Sequence, residues 1–244
     1  MRKIILFLMT AVLLFGYSCG KKPTGPSSKK PTFTIYGAVV KDMNFSKDIV
    51  YFTVRRNDTL YNSATVKVGN KTILNSGSGL YDSLFADTTF KVKTAYVDSI
   101  ISSLDTVNIT FSFAMPCTFT VSVNPNDTVN EGGKAVNVTW TTSDSATGYF
   151  ICVVKGDTIS GAQLHSDIVS GSQTEIPLTA FRKTNGDPVT GIYWVFIVAY
   201  NKSFVSYPDM PFILPSDLPV DNISGAEGTI GAGVIAKKVT IRVP

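Results

Sequence analysis

Charge, histidine, cysteine and long apolar runs are all in short supply in this chain. Asp, Glu, Lys and Arg make up only 16% of 244 residues, while Thr, Ser, Val, Gly and Asn are abundant and good helix formers scarce, which favours an all-β fold. The single histidine, His165, leaves one position for the commonest general base. It stands beside Ser166 and Asp167 in a stretch read as a polar loop, and no Gly-x-Ser-x-Gly turn exists to orient a nucleophile. No catalytic residue is therefore assigned, and the chain is read as a non-enzyme. One histidine and three cysteines fit no zinc spacing, and the Asp-bearing loops at 124–127 and 215–217 lack the ligand order of a calcium loop. The glycine-rich stretch 225–233 has no Lys-Ser/Thr at its end, so it is not a phosphate loop. No metal or cofactor is expected. The net charge of +4 comes partly from the first thirty residues, and no Lys/Arg cluster interleaved with aromatics follows, which argues against nucleic acid as a partner.

What the amino terminus does hold is specific. Arg2 and Lys3 precede an apolar run from Ile4 to Phe15, of signal-peptide length and too short to span a membrane comfortably. The run ends in Phe15-Gly16-Tyr17-Ser18-Cys19-Gly20, with small Ser18 directly before Cys19. This resembles the lipobox of bacterial lipoproteins, although Gly16 replaces the usual Leu and Tyr17 is bulky. The resemblance implies a signal peptide over 1–18, lipidation of Cys19 and a place in the bacterial cell envelope. That place is lipid-anchored: outer membrane, periplasmic or surface-exposed. Residues 20–30, with two lysine pairs and two prolines, read as a tether reaching at most roughly 35–40 Å.

From Pro31 the chain alternates apolar and polar residues over short stretches: Phe33 to Val39, Ile49 to Arg55, Ala64 to Val68, Thr72 to Leu74, Phe90 to Tyr96 and Val107 to Phe113. Turn signals at 56–59 and 69–70 separate them, and 75–79 reads as a flexible loop. The best helical candidate, Val97 to Leu104, is short and rich in Ser. The spacing predicts an all-β fold with a first β-sandwich over 31–115, immunoglobulin-like in outline. The odd-numbered apolar phase runs unbroken from Val107 through Phe119 to Val123, with Pro116 in its middle. Two tandem sandwiches joined almost without linker fit this, as does one large sandwich bulged at Pro116.

The remainder, 116–244, resembles a fibronectin type III domain. Val136 to Trp140 matches the family's second strand with its core tryptophan, and Gly148 to Val154 the third, with Tyr149 as core tyrosine. Thr174 to Phe181 leads into the sixth strand, where Tyr193, Val195, Ile197, Ala199 and Asn201 follow the family's Tyr-x-Val-x-Val-x-Ala-x-Asn spacing. Val239 to Val243 is the last strand. Two departures stand out. The corner 182–192 is long, which puts the tyrosine's hydrogen bond to the backbone in question, and 202–233 is a long insertion before the final strand.

The sixth strand is apolar on both faces, whereas a sandwich strand ordinarily keeps one face wet. With Tyr193 inward, Trp194, Phe196, Val198 and Tyr200 point out, beside Phe150, Cys152 and Val154 of the third strand. Three covers are open: the insertion, the first domain, or a partner. Phe150, Trp194, Phe196, Val198 and Tyr200 are thus the candidate binding face. Cys117 falls in inward phase and Cys152 in outward phase, which favours two thiols over a disulfide. The functional expectation is a lipid-anchored envelope protein acting in protein–protein interaction, adhesion or surface display, its partners the membrane and an unknown protein or glycan. The alternative is a carbohydrate-binding module that stacks sugars on this aromatic face.

Overall fold

The computed structural model describes residues 32–86, 88–92, 95–102, 107–124, 130–156, 163–202 and 223–244. The expected signal peptide, Cys19, the expected tether, the 124–127 loop beyond Asn124 and 203–222 of the insertion lie outside the described residues. Thr32–Pro244 form one compact unit that is all-β apart from a single 3₁₀ turn among the described residues.

Eight strands follow one another first: β1 (Phe33–Asp42), β2 (Lys47–Arg56), β3 (Thr59–Leu60), β4 (Ala64–Val68), β5 (Lys71–Gly77), β6 (Leu80–Ala86), β7 (Ala95–Ser102) and β8 (Val107–Ala114). β1, β2 and β6 are neighbours in one sheet, and β4, β7 and β8 in a second. β5 belongs to both: its first residues pair with β4 and its last with β6. Phe33, Ile35, Phe52 and Val54 on one inner face meet Val66, Ile100, Ile109 and Phe111 on the other, all buried. The rings of Phe52 and Phe111 stand 5.5 Å apart across the layer. Two local expectations fail. Phe90 to Val92 is bend and turn rather than strand, its Phe90 N–H held by the Asp48 carboxylate, and the strand begins at Ala95 as β7. Asn75 to Gly77 continues β5, so the turn is only Ser78-Gly79.

The second half supplies β9 (Val121–Asn124), β10 (Val136–Trp140), β11 (Gly148–Lys155), β12 (Gln163–Val169), β13 (Gln173–Ile176) and β14 (Gly191–Asn201), then β15 (Ile223–Ser224), β16 (Glu227–Ile235) and β17 (Val239–Val243). A three-stranded sheet in the order β13-β10-β9 packs on a sheet in which β12, β11, β14 and β17 are successive neighbours. Seven antiparallel strands in this order make a fibronectin type III-like sandwich. Trp140 and Tyr149 pack with ring centroids 5.3 Å apart, and Tyr149 also meets Phe119. Phe181, on the 3₁₀ turn Leu178–Phe181, is fully buried against Tyr193. The long corner keeps the tyrosine's bond: Tyr193 donates its hydroxyl to the Val189 carbonyl at 2.6 Å. Arg182 holds that corner by donating to the carbonyls of Gly132, Gly133 and Gly186.

β16 departs most from the expected insertion. The glycine-rich stretch is mostly a strand, parallel to β1 along its whole length and antiparallel to the last residues of β14. β14 is long because it has two consecutive partners on one side: β17 pairs with 191–195 and β16 with 198–201. Pairing therefore crosses the expected boundary at residue 115, and one apolar core runs from Phe33 through Met115 and Phe119 to Val243. β15, just ahead of β16, pairs with β8, so this segment covers an edge of each sheet of the first sandwich. Gly228 permits the approach: its φ is +115°, and a Cβ there would overlap the carbonyl oxygen of Ile35.

Candidate interaction surface

The five residues expected to form a binding face are brought together, and all but Trp194 are buried. β11 and β14 pair in the register Phe150↔Val198, Cys152↔Phe196 and Val154↔Trp194, which sets these side chains in one block. Phe150, Phe196, Val198 and Tyr200 keep at most 5% of their surface exposed. They form a second apolar cluster with Ile235 of β16, Ala38 and Val40 of β1, and Tyr51 of β2, against which Ile49 and Trp194 pack half-buried. The first-sandwich strands enter this face laterally, through β16. The signal for them was present: Gly37-Ala38-Val39-Val40, like β14, is apolar at successive positions.

Rings lie over glycines on this sheet. A Cβ on Gly148 would come 2.6 Å from the Tyr200 hydroxyl oxygen, and one on Gly156 2.8 Å from the Trp194 indole. Gly37, directly opposite Phe52, would overlap the Phe52 ring. The absent side chains leave room for aromatic rings on neighbouring strands, a packing that restores what glycine loses in a sheet. Trp194 carries a further contact: the Lys238 ammonium sits 3.7 Å from its ring centroid. Sugar stacking needs bare rings, and Phe196 and Tyr200 keep 4% and 5% of their surface exposed.

Polar clasps tie the sandwiches beside this face. Asn44, in the β1–β2 turn, donates to the Ala236 carbonyl at 3.1 Å and accepts the Lys238 N–H at 2.8 Å. Asn201 accepts the Ala114 N–H at 2.9 Å and donates to the Ser145 carbonyl at 2.7 Å. Asn201 was singled out by spacing; its role as a bracket between the end of β8 and the second sandwich was not legible from spacing. At the junction, Ser143 donates its hydroxyl to the Cys117 carbonyl at 2.6 Å, and the Cys117 N–H donates to Asp144 at 3.1 Å.

Groups that carry chemistry elsewhere are used structurally here. Lys41 and Asp48 face each other across β1 and β2, both buried, with Nζ 2.6 Å from Oδ1. The other carboxylate oxygen accepts the Phe90 N–H at 2.8 Å. Cys117 and Cys152 are both free thiols, and burial pushes the Cys152 thiol up to about 12. His165 is not in a loop but on strand β12, opposite core residue Val153. Burial holds its pKa below the ordinary histidine value, and the Asp167 charge opposes that only in part. Among the described residues no group of three His, Cys, Asp or Glu is placed to hold a metal ion. No helix among them is long and apolar enough to cross a membrane.

No protein-family model matches the chain, and no curated protein does. Similar solved structures include the FN1–FN3 domains of chicken CNTN1, at 14% identity and a TM-score of 0.25 over 69% of this chain and 60% of that one. The fibronectin(III)-like modules of Clostridium thermocellum CbhA match at 13% identity and a TM-score of 0.25, over 84% of this chain and 94% of that one. The N-terminal four Ig domains of Dscam1 isoform 9.44 match at 11% identity and a TM-score of 0.23, over 86% and 45%. The chain thus spans less than two thirds of the length of the CNTN1 and Dscam1 structures. At such TM-scores these likenesses carry no argument, and the fold assignment rests on the strand order.

Proposed function

We propose that the protein is a non-enzymatic, lipid-anchored component of a bacterial envelope that acts by protein–protein interaction, adhesion or surface display. The observation that supports this best is where its chemistry-bearing side chains sit. The Lys41–Asp48 pair is sealed between β1 and β2, the Cys152 thiol is held neutral in the core, and His165 is half-buried on a sheet strand. These groups stabilise a scaffold rather than meet a substrate. The amino-terminal pattern around Cys19 supplies the anchor in this reading, and 20–30 the tether. Metabolic labelling with a palmitate analogue in a bacterial host tests it. The wild-type chain should take up label and sediment with membranes, while Cys19→Ser should take up none. Equal labelling of the two chains, or an unlabelled soluble wild type, overturns the anchor. Turnover of any substrate that is abolished by His165→Ala overturns the non-enzymatic assignment.

A further inference from the structure

We propose that the edge strand β12 pairs antiparallel with β12 of a second copy of this chain, about a two-fold axis at Ser166. β12 lies at the end of its sheet among the described residues, bonded only to β11. Among the described residues, Leu164–Val169 make no backbone–backbone hydrogen bond on the side away from β11, where the Ile168 N–H is held by the Asp167 carboxylate. Such an edge is a template for another strand.

The strand's own sequence selects the occupant. Turned antiparallel on itself about Ser166, Gln163-Leu164-His165-Ser166-Asp167-Ile168-Val169 sets His165 opposite Asp167 of the second copy, twice over. It also sets Leu164 opposite Ile168 of the second copy. Polar side chains that can hydrogen-bond across the pair and matched aliphatics stabilise antiparallel sheets, and a two-fold contact requires such self-complementarity. Moving the axis to Asp167 would set two carboxylates face to face, so charge favours the Ser166 register. The exposed side chains agree. Leu164 and Ile168 are 40% and 42% exposed, high for aliphatics in a strand, and the buried His165 Nε2 has no hydrogen-bond partner among the described residues.

Backbone polarity fits the same axis. The Ile168 N–H is taken by Asp167 Oδ1 at 2.8 Å, so it points away from β11. By alternation Ser166 also presents its backbone outward, which makes Ser166 and Ser166 of the second copy a hydrogen-bonded pair with Cα atoms about 5.5 Å apart. A bulge at Leu164, where Val153 pairs with His165 but Val154 with Gln163, bends one end of the strand. The regular stretch is therefore His165–Val169, so pairing about Ser166 is continuous over His165–Asp167 of each chain, with Leu164 and Ile168 meeting at its ends. This is a small interface of the weaker class, below about 1,200 Å². It does not depend on the membrane anchor.

The test uses the full-length chain in detergent, with mass measured by light scattering from about 1 to 200 µM, a range suited to weak association. The wild type should move from monomer to dimer across that range. Ile168→Lys should weaken the association at least tenfold while keeping the wild-type circular dichroism and melting curve. The Ser166→Cys variant should form an interchain disulfide under mild oxidation, since about 5.5 Å between Cα atoms suits the bond. Glu175→Cys, exposed on β13, and the wild type with its own thiols are the controls. A monomer at every concentration overturns the proposal. So does a dimer that Ile168→Lys leaves unchanged, or Ser166→Cys crosslinking no faster than the controls. A Ser166→Cys crosslink that an added extended peptide blocks, with the wild type monomeric throughout, would assign the edge to another protein instead.

Discussion

Lys41 and Asp48 are the residues on which the first sandwich is most exposed to a single substitution. Their alternating strands put both on the inner face, and burial leaves each dependent on the other. Lys41→Met strands an anion that also holds the Phe90 N–H, and removing one partner of a buried pair costs about 3–5 kcal/mol. Urea unfolding should report a loss of that order, and a change below about 1 kcal/mol would show the pair to be dispensable. His165 sets a pH dependence of definite sign. Its folded pKa lies below the unfolded value of about 6.5, so between the two the unfolded chain binds more protons. The stability from burying neutral His165 is complete above that unfolded value and is lost as pH falls through the window below it. Denaturant midpoints at pH 7.5 and 5 should differ more for the wild type than for His165→Asn; identical pH profiles would refute this. Cys152, fully buried with its thiol held protonated, should resist a thiol reagent at pH 8 until the chain is unfolded. Rapid modification of the native protein there would contradict its burial.

At the scale of elements, β14 and β16 explain each other. A strand apolar on both faces read from sequence as a family marker with an unexplained outer face. In the structure the sheet continues through β16 into β1 and β2, and Phe150, Phe196, Val198 and Tyr200 belong to a second apolar cluster with Ala38, Val40, Tyr51 and Ile235 of those strands. Phe196→Ala should therefore cost about 3–5 kcal/mol, the loss expected of a core aromatic. Unchanged thermal stability in that variant would return the face to the surface. Gly228→Ala tests the strand itself, since the added methyl meets the Ile35 backbone at a left-handed φ. It should destabilise by more than about 1 kcal/mol, where a replacement at a compatible site would instead stabilise by about 0.4–1 kcal/mol. A neutral result would show that β16 does not lie against β1. The family spacing at Tyr193–Asn201, the core tryptophan and the last strand were all legible in the sequence, because short-range alternation and spacing encode them. β16 was not, since Gly225–Gly233 has weak strand propensity and its partner β1 lies nearly two hundred residues away.

For the molecule as a whole, sharing β16 changes how the two sandwiches should unfold. The core is continuous across the junction, and β16 contributes Ile230, Ala232 and Val234 to it while pairing with β1 and β14. Neither sandwich keeps its edge if β16 leaves. Calorimetry should then show one transition whose van't Hoff and calorimetric enthalpies agree, as for a single cooperative unit. Two resolved transitions would mean that the sandwiches unfold as independent domains.

By itself the sequence determined the fold class, most strand positions, the family-like order of the second sandwich and the amino-terminal pattern around Cys19. These are written in local alternation, turn residues and short motifs. Only the tertiary structure decided that a glycine-rich insertion is a central strand, that His165 sits on a sheet edge, and that the aromatic face is enclosed. Each of these depends on which distant strand becomes a neighbour. Pairing between remote segments is chosen by the fit of the whole sheet, and no periodicity within either segment records it.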